Sequence, residues 1–190
     1  FVGGVPAIVN RISFTGELGY EIYVAPHYQI KLYEELIQAG KEFTIKPFGG
    51  RALMSMRLEK NWGAWTLDYR PDFTAKETGL DTFINWNKDF IGKENAQKDN
   101  STKKIVPLIV ETNEIDVTNN EAVVNGTESI GYVTSGGFAH YVNKSVAFTF
   151  LDQNKINYDN KIQIEINGDL FNCSLIKDSL YDPTGQKMRS

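Results

Sequence analysis

The two halves of the chain differ in how their apolar and polar residues are spaced. In the first half, Ile30, Tyr33 and Ile37 recur at helical spacing and predict a helix over 26–40. Residues 51–60 repeat apolar positions in the same way and predict a second helix. Shorter elements are also predicted there, namely strands over 5–13, 20–24 and 81–86 and a helix over 93–97.

The second half is predicted to consist of short strands. Ile162, Ile164 and Ile166 alternate with polar residues, as on a strand with one buried face. Asn-Gly pairs at 125–126 and 167–168 predict tight hairpins, because both residues tolerate a positive φ angle. The predicted strands cover 105–110, 122–124, 129–134, 145–150, 161–166 and 170–176.

A polar run at 98–102 separates these two patterns and is predicted to be a domain boundary. Residues 1–100 then form an α+β region, and residues 101–190 form a small antiparallel barrel or sandwich. Within the second part, Gly136 and Gly137 are interpreted as a turn.

Composition narrows the classes of function. The chain has 190 residues, a formal net charge of −4 and no block of Lys and Arg, so neither nucleic acid nor a membrane is expected as a partner. Two His and one Cys leave no metal site of the usual zinc-ligand spacing. Cys173 lies in an alternating strand pattern and is expected to be packed, which suits a cytoplasmic or other reducing compartment. Because the chain begins at Phe1, we expect it to be a processed product or a piece of a longer protein.

Arg51 has an unusual position in the first turn of the second predicted helix, after Gly49 and Gly50. A cation there opposes the helix dipole, so the position is easier to explain if Arg51 faces an anion that also uses the free backbone N–H groups. The alternative is an ion pair with Glu59 or Asp68. Spacing alone slightly favours the ion pair.

Glu17 lies at the tip of a predicted hairpin, between Gly16 and Leu18-Gly19. It is either a solvated turn residue, which spacing alone favours, or a carboxylate aimed into a pocket by a tightly turning backbone. With Glu17, the side chains suited to a flat, partly anionic, hydrogen-bonding ligand are Arg51, Arg57, Trp62, Trp65, Tyr69 and Tyr181.

Three stretches carry specific motifs: RISFTGELGYEIYV at 11–24, GGRALMSMRLEKNWGAW at 49–65 and GYVTSGGFAHYVNKSVAF at 131–148. Together they resemble the folate-dependent aminomethyltransferase family, which includes the glycine-cleavage T-protein. The closing SLYDPTGQKMR at 179–189 resembles the folate domains of dimethylglycine and sarcosine dehydrogenases.

The resemblance implies a fold and a set of ligand-binding residues. The fold is part of a central folate-binding α+β domain over 1–100, followed by a C-terminal antiparallel β-barrel over 101–190. Glu17 corresponds to the pterin-contacting Glu of the family's T-G-E motif, and Arg51 to a folate-binding Arg, so we expect both to line one pocket. Phe14 replaces the usual Tyr of that motif. Trp65 and Tyr69 are candidate aromatic contacts.

The resemblance also implies an activity for the parent protein. An N-methyl amine is oxidised with FAD, which is expected in an N-terminal domain outside this sequence, and the one-carbon unit passes to tetrahydrofolate. The family's catalytic Asp belongs to an earlier segment, so no catalytic residue is expected here. The expected partners are folate, a small methylated amine and the missing N-terminal region. Alternatives are a T-protein-like aminomethyltransferase, a folate-dependent demethylase or a non-catalytic folate-binding module. A eukaryotic parent is expected in the mitochondrial matrix.

Overall fold

The computed structural model describes residues 1–112, 114–157 and 159–190. Within these ranges, no helix is both long enough and apolar enough to cross a membrane. The first part of the chain mixes short strands with helices, as its spacing predicts. Its elements are the strands β1 (Ile8–Asn10) and β2 (Glu21–Tyr23) and the helices α1 (Gln29–Gly40), α2 (Gly50–Glu59), α3 (Ala75–Thr78) and α4 (Lys93–Gln97).

The second part forms a closed antiparallel barrel of six strands in the order β3-β6-β5-β4-β7-β8. The strands are β3 (Lys103–Val110), β4 (Ala122–Asn125), β5 (Glu128–Ala139), β6 (Lys144–Asp152), β7 (Ile162–Ile166) and β8 (Asp169–Leu175). A last helical turn, α5 (Gln186–Arg189), follows the barrel. The predicted fold class, an α+β region followed by a small antiparallel barrel, is confirmed.

Both predicted Asn-Gly hairpins are present. Asn125 pairs with Glu128 across the β4–β5 turn, where Gly126 has a φ of +69°. Asn167 and Gly168 both have positive φ in the β7–β8 turn, as a two-residue hairpin of the primed type requires.

The barrel interior is filled by aliphatic residues, most of which come from the inward-facing positions of β3 to β7. Ile162, Ile164 and Ile166 all belong to this core, as their alternation predicts. The remaining buried members are Leu108, Val110, Val117, Val123, Ile130, Val133, Ala147 and Leu151.

Helix α2 packs against the outside of this barrel. Leu58 of α2 joins Val146 and Phe148 of β6, with Ala139 and Ile176, in a second apolar cluster. Strand β6 is therefore covered on both faces, since Ala147 points into the barrel while its neighbours contact α2. This explains why β6 is an almost continuous apolar run rather than an alternating one.

Two local predictions are wrong. Residues 81–86 do not form a strand, because Leu80–Phe83 is a 3-10 turn. Gly79, with a φ of +74°, ends α3 and turns the chain directly into this second helical turn.

Gly136 and Gly137 are also not a turn, because they lie inside β5 and pair with β6. A Cβ at Gly136 would lie 2.8 Å from the carbonyl oxygen of Val117. Glycine is therefore required there because the segment between β3 and β4 crosses close to the strand.

The first part of the chain leaves much of its apolar surface uncovered. All three residues of β1 are exposed. Ile8, Ile30 and Phe43 are 67%, 75% and 78% exposed, although residues of this kind are usually buried.

Candidate functional site

Glu17 lines a cavity of about 820 Å³ between α2 and the turn formed by Thr15, Gly16 and Glu17, which is called the T-G-E turn below. Its volume falls within the range of ordinary small-molecule sites. The lining is mostly apolar and aromatic, with Glu17 and Glu21 as its acidic members. Its other residues are Ile12, Ser13, Phe14, Thr15, Leu18, Gly19, Tyr20, Phe48, Ala52, Leu53 and Met56.

The T-G-E turn is held by short-range bonds and by close packing on the end of α2. The Gly16 amide donates to Ser13 Oγ at 3.0 Å, and the Glu17 amide donates to Thr15 Oγ1 at 3.3 Å. Gly16 has a φ of +88°, and a Cβ on it would lie 2.8 Å from Cδ of Lys60. This glycine is therefore needed both for its backbone conformation and for its approach to Lys60.

The Glu17 carboxylate is joined to the far end of the chain. The Tyr181 hydroxyl donates a hydrogen bond to Glu17 Oε1. This bond to a carboxylate raises the pKa of Tyr181 above its ordinary value. The ammonium of Lys187 lies 5.4 Å from the centre of the Tyr181 ring, and its interaction with Tyr181 raises the pKa of Lys187.

Asp182 and Lys60 fix the segment that carries Tyr181. Lys60 Nζ donates to the carbonyl of Tyr181 at 3.3 Å and pairs with Asp182 Oδ2 at 3.3 Å. The Asp182 carboxylate also accepts the amides of Gln186 and Lys187. Burial opposes ionisation of Asp182, but these amide bonds and Lys60 together lower its pKa. Sequence reasoning missed Lys60 and Asp182, although Asp-Pro-Thr-Gly is a turn signature.

Arg51 lines a different cavity, of about 490 Å³, with Asp116, Phe138 and His140. The structure therefore does not bring Glu17 and Arg51 together in the lining of one cavity, and a shared role of the two in binding folate stays a prediction. At 100° per residue, Ala52, Leu53 and Met56 lie on one face of α2, whereas Arg51, Met54, Ser55 and Leu58 lie on another.

The alternative pairings suggested for Arg51 are not formed either. Asp68 pairs with Arg57, and a carboxylate oxygen of Glu59 accepts the amide of Tyr141. Helix α2 has Gly49 at its N-cap, without a side-chain cap. Arg51 thus stays exposed beside uncapped amides, and its role in binding folate stays a prediction.

Phe14 lines the Glu17 cavity, but Trp65 and Tyr69 line neither cavity. Trp65 is 76% exposed and meets Tyr69 edge to face, with ring centres 5.7 Å apart. The Tyr69 oxygen accepts the amide of Gly63 at 3.2 Å, and burial raises the pKa of Tyr69. The Tyr69 hydroxyl therefore supports its own loop, while Trp65 offers a free ring face.

A buried ion pair connects α2, this loop and the barrel. Arg57 Nη1 donates to Asp68 Oδ2 at 2.8 Å, and the same oxygen accepts the Ala64 amide at 2.8 Å. Asp68 Oδ1 accepts from the hydroxyls of Thr134 and Ser135 on β5. Burial lowers the pKa of Arg57, although the charge of Asp68 and the hydrogen bond to it act to raise this pKa. Thr134 and Ser135 of the barrel motif thus connect the barrel to α2 through Asp68.

Comparison with known proteins agrees with this architecture. Residues 1–88 match the family model "GCVT N-terminal domain", and residues 103–182 match "Glycine cleavage T-protein C-terminal barrel domain". The glycine cleavage system aminomethyltransferase T from Bartonella henselae superposes with a TM-score of 0.80 over 92% of this chain and 50% of that one. Its sequence identity is 23%, so this likeness shows the fold. The chain belongs to the glycine-cleavage T-protein family of aminomethyltransferases.

Two kinds of relative are similar to the chain along nearly its whole length. The mitochondrial dimethylglycine dehydrogenase of Homo sapiens is 31% identical over 99% of this chain, which spans 22% of that protein. The aminomethyltransferase of Thermoanaerobacter pseudethanolicus is 30% identical over 98% of this chain, which spans 51% of that protein. The chain therefore spans about half or less of these relatives.

Proposed function

We propose that this chain is the C-terminal folate-binding portion of a tetrahydrofolate-dependent one-carbon transfer enzyme of the dimethylglycine or sarcosine dehydrogenase type. The N-methyl carbon of a small methylated amine would pass to tetrahydrofolate and give 5,10-methylenetetrahydrofolate. FAD, held in an N-terminal domain of the parent protein, would supply the oxidation.

The observation that carries this proposal is the position of Glu17 at an apolar and aromatic cavity in a chain of this family. A pterin is flat and presents several N–H donors at one edge. The cavity suits such a ring, because Phe14, Tyr20 and Phe48 supply aromatic surface. Glu17 supplies a carboxylate acceptor in the lining.

The exposed apolar surface of the first part supports a larger parent protein. Ile8, Ile12, Tyr20 and Tyr23, which lie on or beside β1 and β2, are between 52% and 67% exposed. Apolar patches of this kind mark surfaces that contact other protein. We propose that the missing N-terminal region of the same protein covers this surface and completes the wall of the folate cavity.

The first alternative is a T-protein-like aminomethyltransferase or folate-dependent demethylase, which the 30% identity to a bacterial aminomethyltransferase favours. Such a parent would bind tetrahydrofolate through the same residues, so the Glu17 site does not separate it from the dehydrogenase. A non-catalytic folate-binding module is the second alternative. Only activity of the parent protein with dimethylglycine, sarcosine or an aminomethyl donor distinguishes the three.

The binding role is tested by calorimetry with tetrahydrofolate under reducing conditions. Replacement of Glu17 by Ala should weaken binding by about 1.5–3 kcal/mol, the range for a hydrogen bond to a charged group. Glu42→Ala is the matched control. It removes an exposed glutamate from the 3-10 turn Lys41–Phe43 and should leave binding unchanged. Equal affinity of the Glu17 variant and the wild type would remove Glu17 from the site.

A further inference from the structure

We propose that Tyr181 is a positioning residue for Glu17, and that the C-terminal segment 179–189 thereby orients the carboxylate and the turn that carries it. The hydrogen bond joins residues 164 positions apart. It is thus a tertiary contact that brings the closing motif of the chain to the T-G-E motif. Its consequence for folate binding rests on the proposed function, whereas its effect on the turn does not.

The Tyr181 ring is itself fixed from several sides. Only 8% of the residue is exposed. Its amide donates to the Glu59 carbonyl at 3.0 Å, so the end of α2 sets its backbone. Tyr141 meets the ring edge to face at 4.8 Å between centres, and Lys187 lies over the ring. The hydroxyl is therefore presented from a rigid support.

Glu17, in contrast, has little support of its own. It is exposed, and its turn is held locally by the Ser13 and Thr15 side chains. A glutamate in that setting samples many rotamers, and each rotamer points the carboxylate in a different direction. A bond from Tyr181 to Oε1 selects one direction and leaves Oε2 for a donor on a ligand.

The same turn is also seated on Lys60, which links it to the C-terminal segment a second time. Gly16 lies against the aliphatic stem of Lys60. The ammonium of Lys60 bonds to the carbonyls of Tyr181 and Asp182 and to the Asp182 carboxylate. The turn, the end of α2 and the C-terminal segment thus form one continuous set of contacts.

The opposite hypothesis makes Tyr181 a latch that occupies the carboxylate and must leave before a ligand binds. The two ideas predict opposite signs. Loss of a positioning hydroxyl weakens ligand binding, whereas loss of a latch strengthens it.

The decisive variant is Tyr181→Phe, which keeps the ring and removes only the hydroxyl. The first measurement is hydrogen exchange of the amides of residues 16–18 in the 190-residue chain without ligand. We expect exchange there to be roughly fivefold faster or more, since local opening is no longer opposed by the bond. Tyr141→Phe is the matched control, because it removes a neighbouring hydroxyl from an exposed ring and should leave these amides unchanged.

The second measurement is the affinity for tetrahydrofolate. Tyr181→Phe should weaken it about tenfold, which corresponds to about 1.4 kcal/mol. In a Glu17→Ala background, where no side-chain oxygen is left to accept from Tyr181, the additional Tyr181→Phe change should have a much smaller effect. A purely structural role of Tyr181 would instead give the same loss in both backgrounds.

The outcomes separate this inference from the proposed function. Unchanged exchange of residues 16–18 in Tyr181→Phe, or tighter folate binding, overturns the positioning role. Faster exchange in Tyr181→Phe, together with a wild-type parent protein that does not bind tetrahydrofolate, supports the positioning role and counts against the proposed function alone.

Discussion

Arg57 and Asp68 form an ion pair that is enclosed between α2 and the barrel, with only 1% and 0% of the two residues exposed. The pair is completed by the Ala64 amide and by the hydroxyls of Thr134 and Ser135. Enclosed charges are tolerated only when bonds of this kind replace their hydration. One carboxylate therefore joins the helix, the loop after it and β5.

Asp68→Asn should strongly destabilise the protein. The substitution keeps the side-chain shape but leaves the Arg57 charge buried without its counter-ion. Breaking a buried pair from one side costs about 3–5 kcal/mol, so the urea midpoint should fall by a corresponding amount. The exposed pair Arg70–Asp72 offers the control, because Asp72→Asn removes a carboxylate bonded at 2.7 Å with both side chains partly in water. A shift for Asp68→Asn no larger than for Asp72→Asn would contradict the importance of the buried network.

The Arg57–Asp68 network shows which features of the structure the local sequence pattern predicts and which it does not. The limits of α2 follow from spacing, and the prediction of 51–60 differs from Gly50–Glu59 by one residue at each end. That Arg57 meets Asp68 depends on the path of the intervening loop, which local spacing does not encode. The Tyr181–Glu17 contact is further still beyond local patterns, since it joins the two ends of the fold.

Strands such as β7 are predictable because apolar inward residues alternate with polar outward ones, whereas β6 is recognised as a continuous apolar run. The pattern predicted β5 only as far as Thr134, because paired glycines are typical of turns, although β5 runs to Ala139. The strand order, with β3 between β6 and β8, depends on barrel closure rather than on any single strand. The domain boundary at 98–102 stays a prediction, as do the folate contacts of Glu17, Arg51, Phe14, Trp65 and Tyr69.

Gly131→Ala should disrupt the barrel. A Cβ at Gly131 would lie 2.0 Å from the carbonyl oxygen of Phe150 on the neighbouring strand. That oxygen is backbone and cannot move without separating β5 from β6, so we expect a loss of about 2–4 kcal/mol or failure to fold.

Gly137→Ala, on the same strand, is the matched control for Gly131→Ala. Its Cβ would lie 3.4 Å from a Leu58 methyl group, which is a contact that small shifts accommodate. It should change stability little or raise it slightly, because alanine restricts the unfolded chain. Equal thermal stability of the two variants would show that Gly131 is not closely packed.

Cys173 should react slowly with thiol reagents while the protein is folded. Burial in β8 raises the pKa of its thiol from 9.0 to about 12. Because the folded pKa lies above the unfolded one, the thiol stays protonated at pH 8, and its thiolate fraction is about a thousandfold below that of an exposed cysteine.

The measurement for Cys173 is the rate of reaction with a disulfide reagent in buffer and in denaturant at the same pH. Since this is the single cysteine of the chain, the signal needs no assignment. A native rate close to the denatured rate would mean that β8 opens readily or that Cys173 lies outside the packed layer.

The 190-residue chain alone should not catalyse one-carbon transfer. The reaction implied by the family resemblance needs a carboxylate beside the reacting nitrogen of tetrahydrofolate, and a general base must lie within hydrogen-bond reach of its proton. Asp68 cannot take this part, because it is fully buried and its two oxygens are occupied by Arg57, Ala64, Thr134 and Ser135.

The matching assay mixes the chain with tetrahydrofolate and formaldehyde or an aminomethyl donor, and follows formation of 5,10-methylenetetrahydrofolate. We expect the uncatalysed rate, because the Glu17 carboxylate is held by Tyr181 and the family resemblance gives it a contact to the pterin rather than the catalytic role. The control is a Glu17→Gln variant, which should give the same rate as the wild type. Turnover above background that disappears in Glu17→Gln would make Glu17 the catalytic carboxylate and would contradict its role as a ligand contact alone.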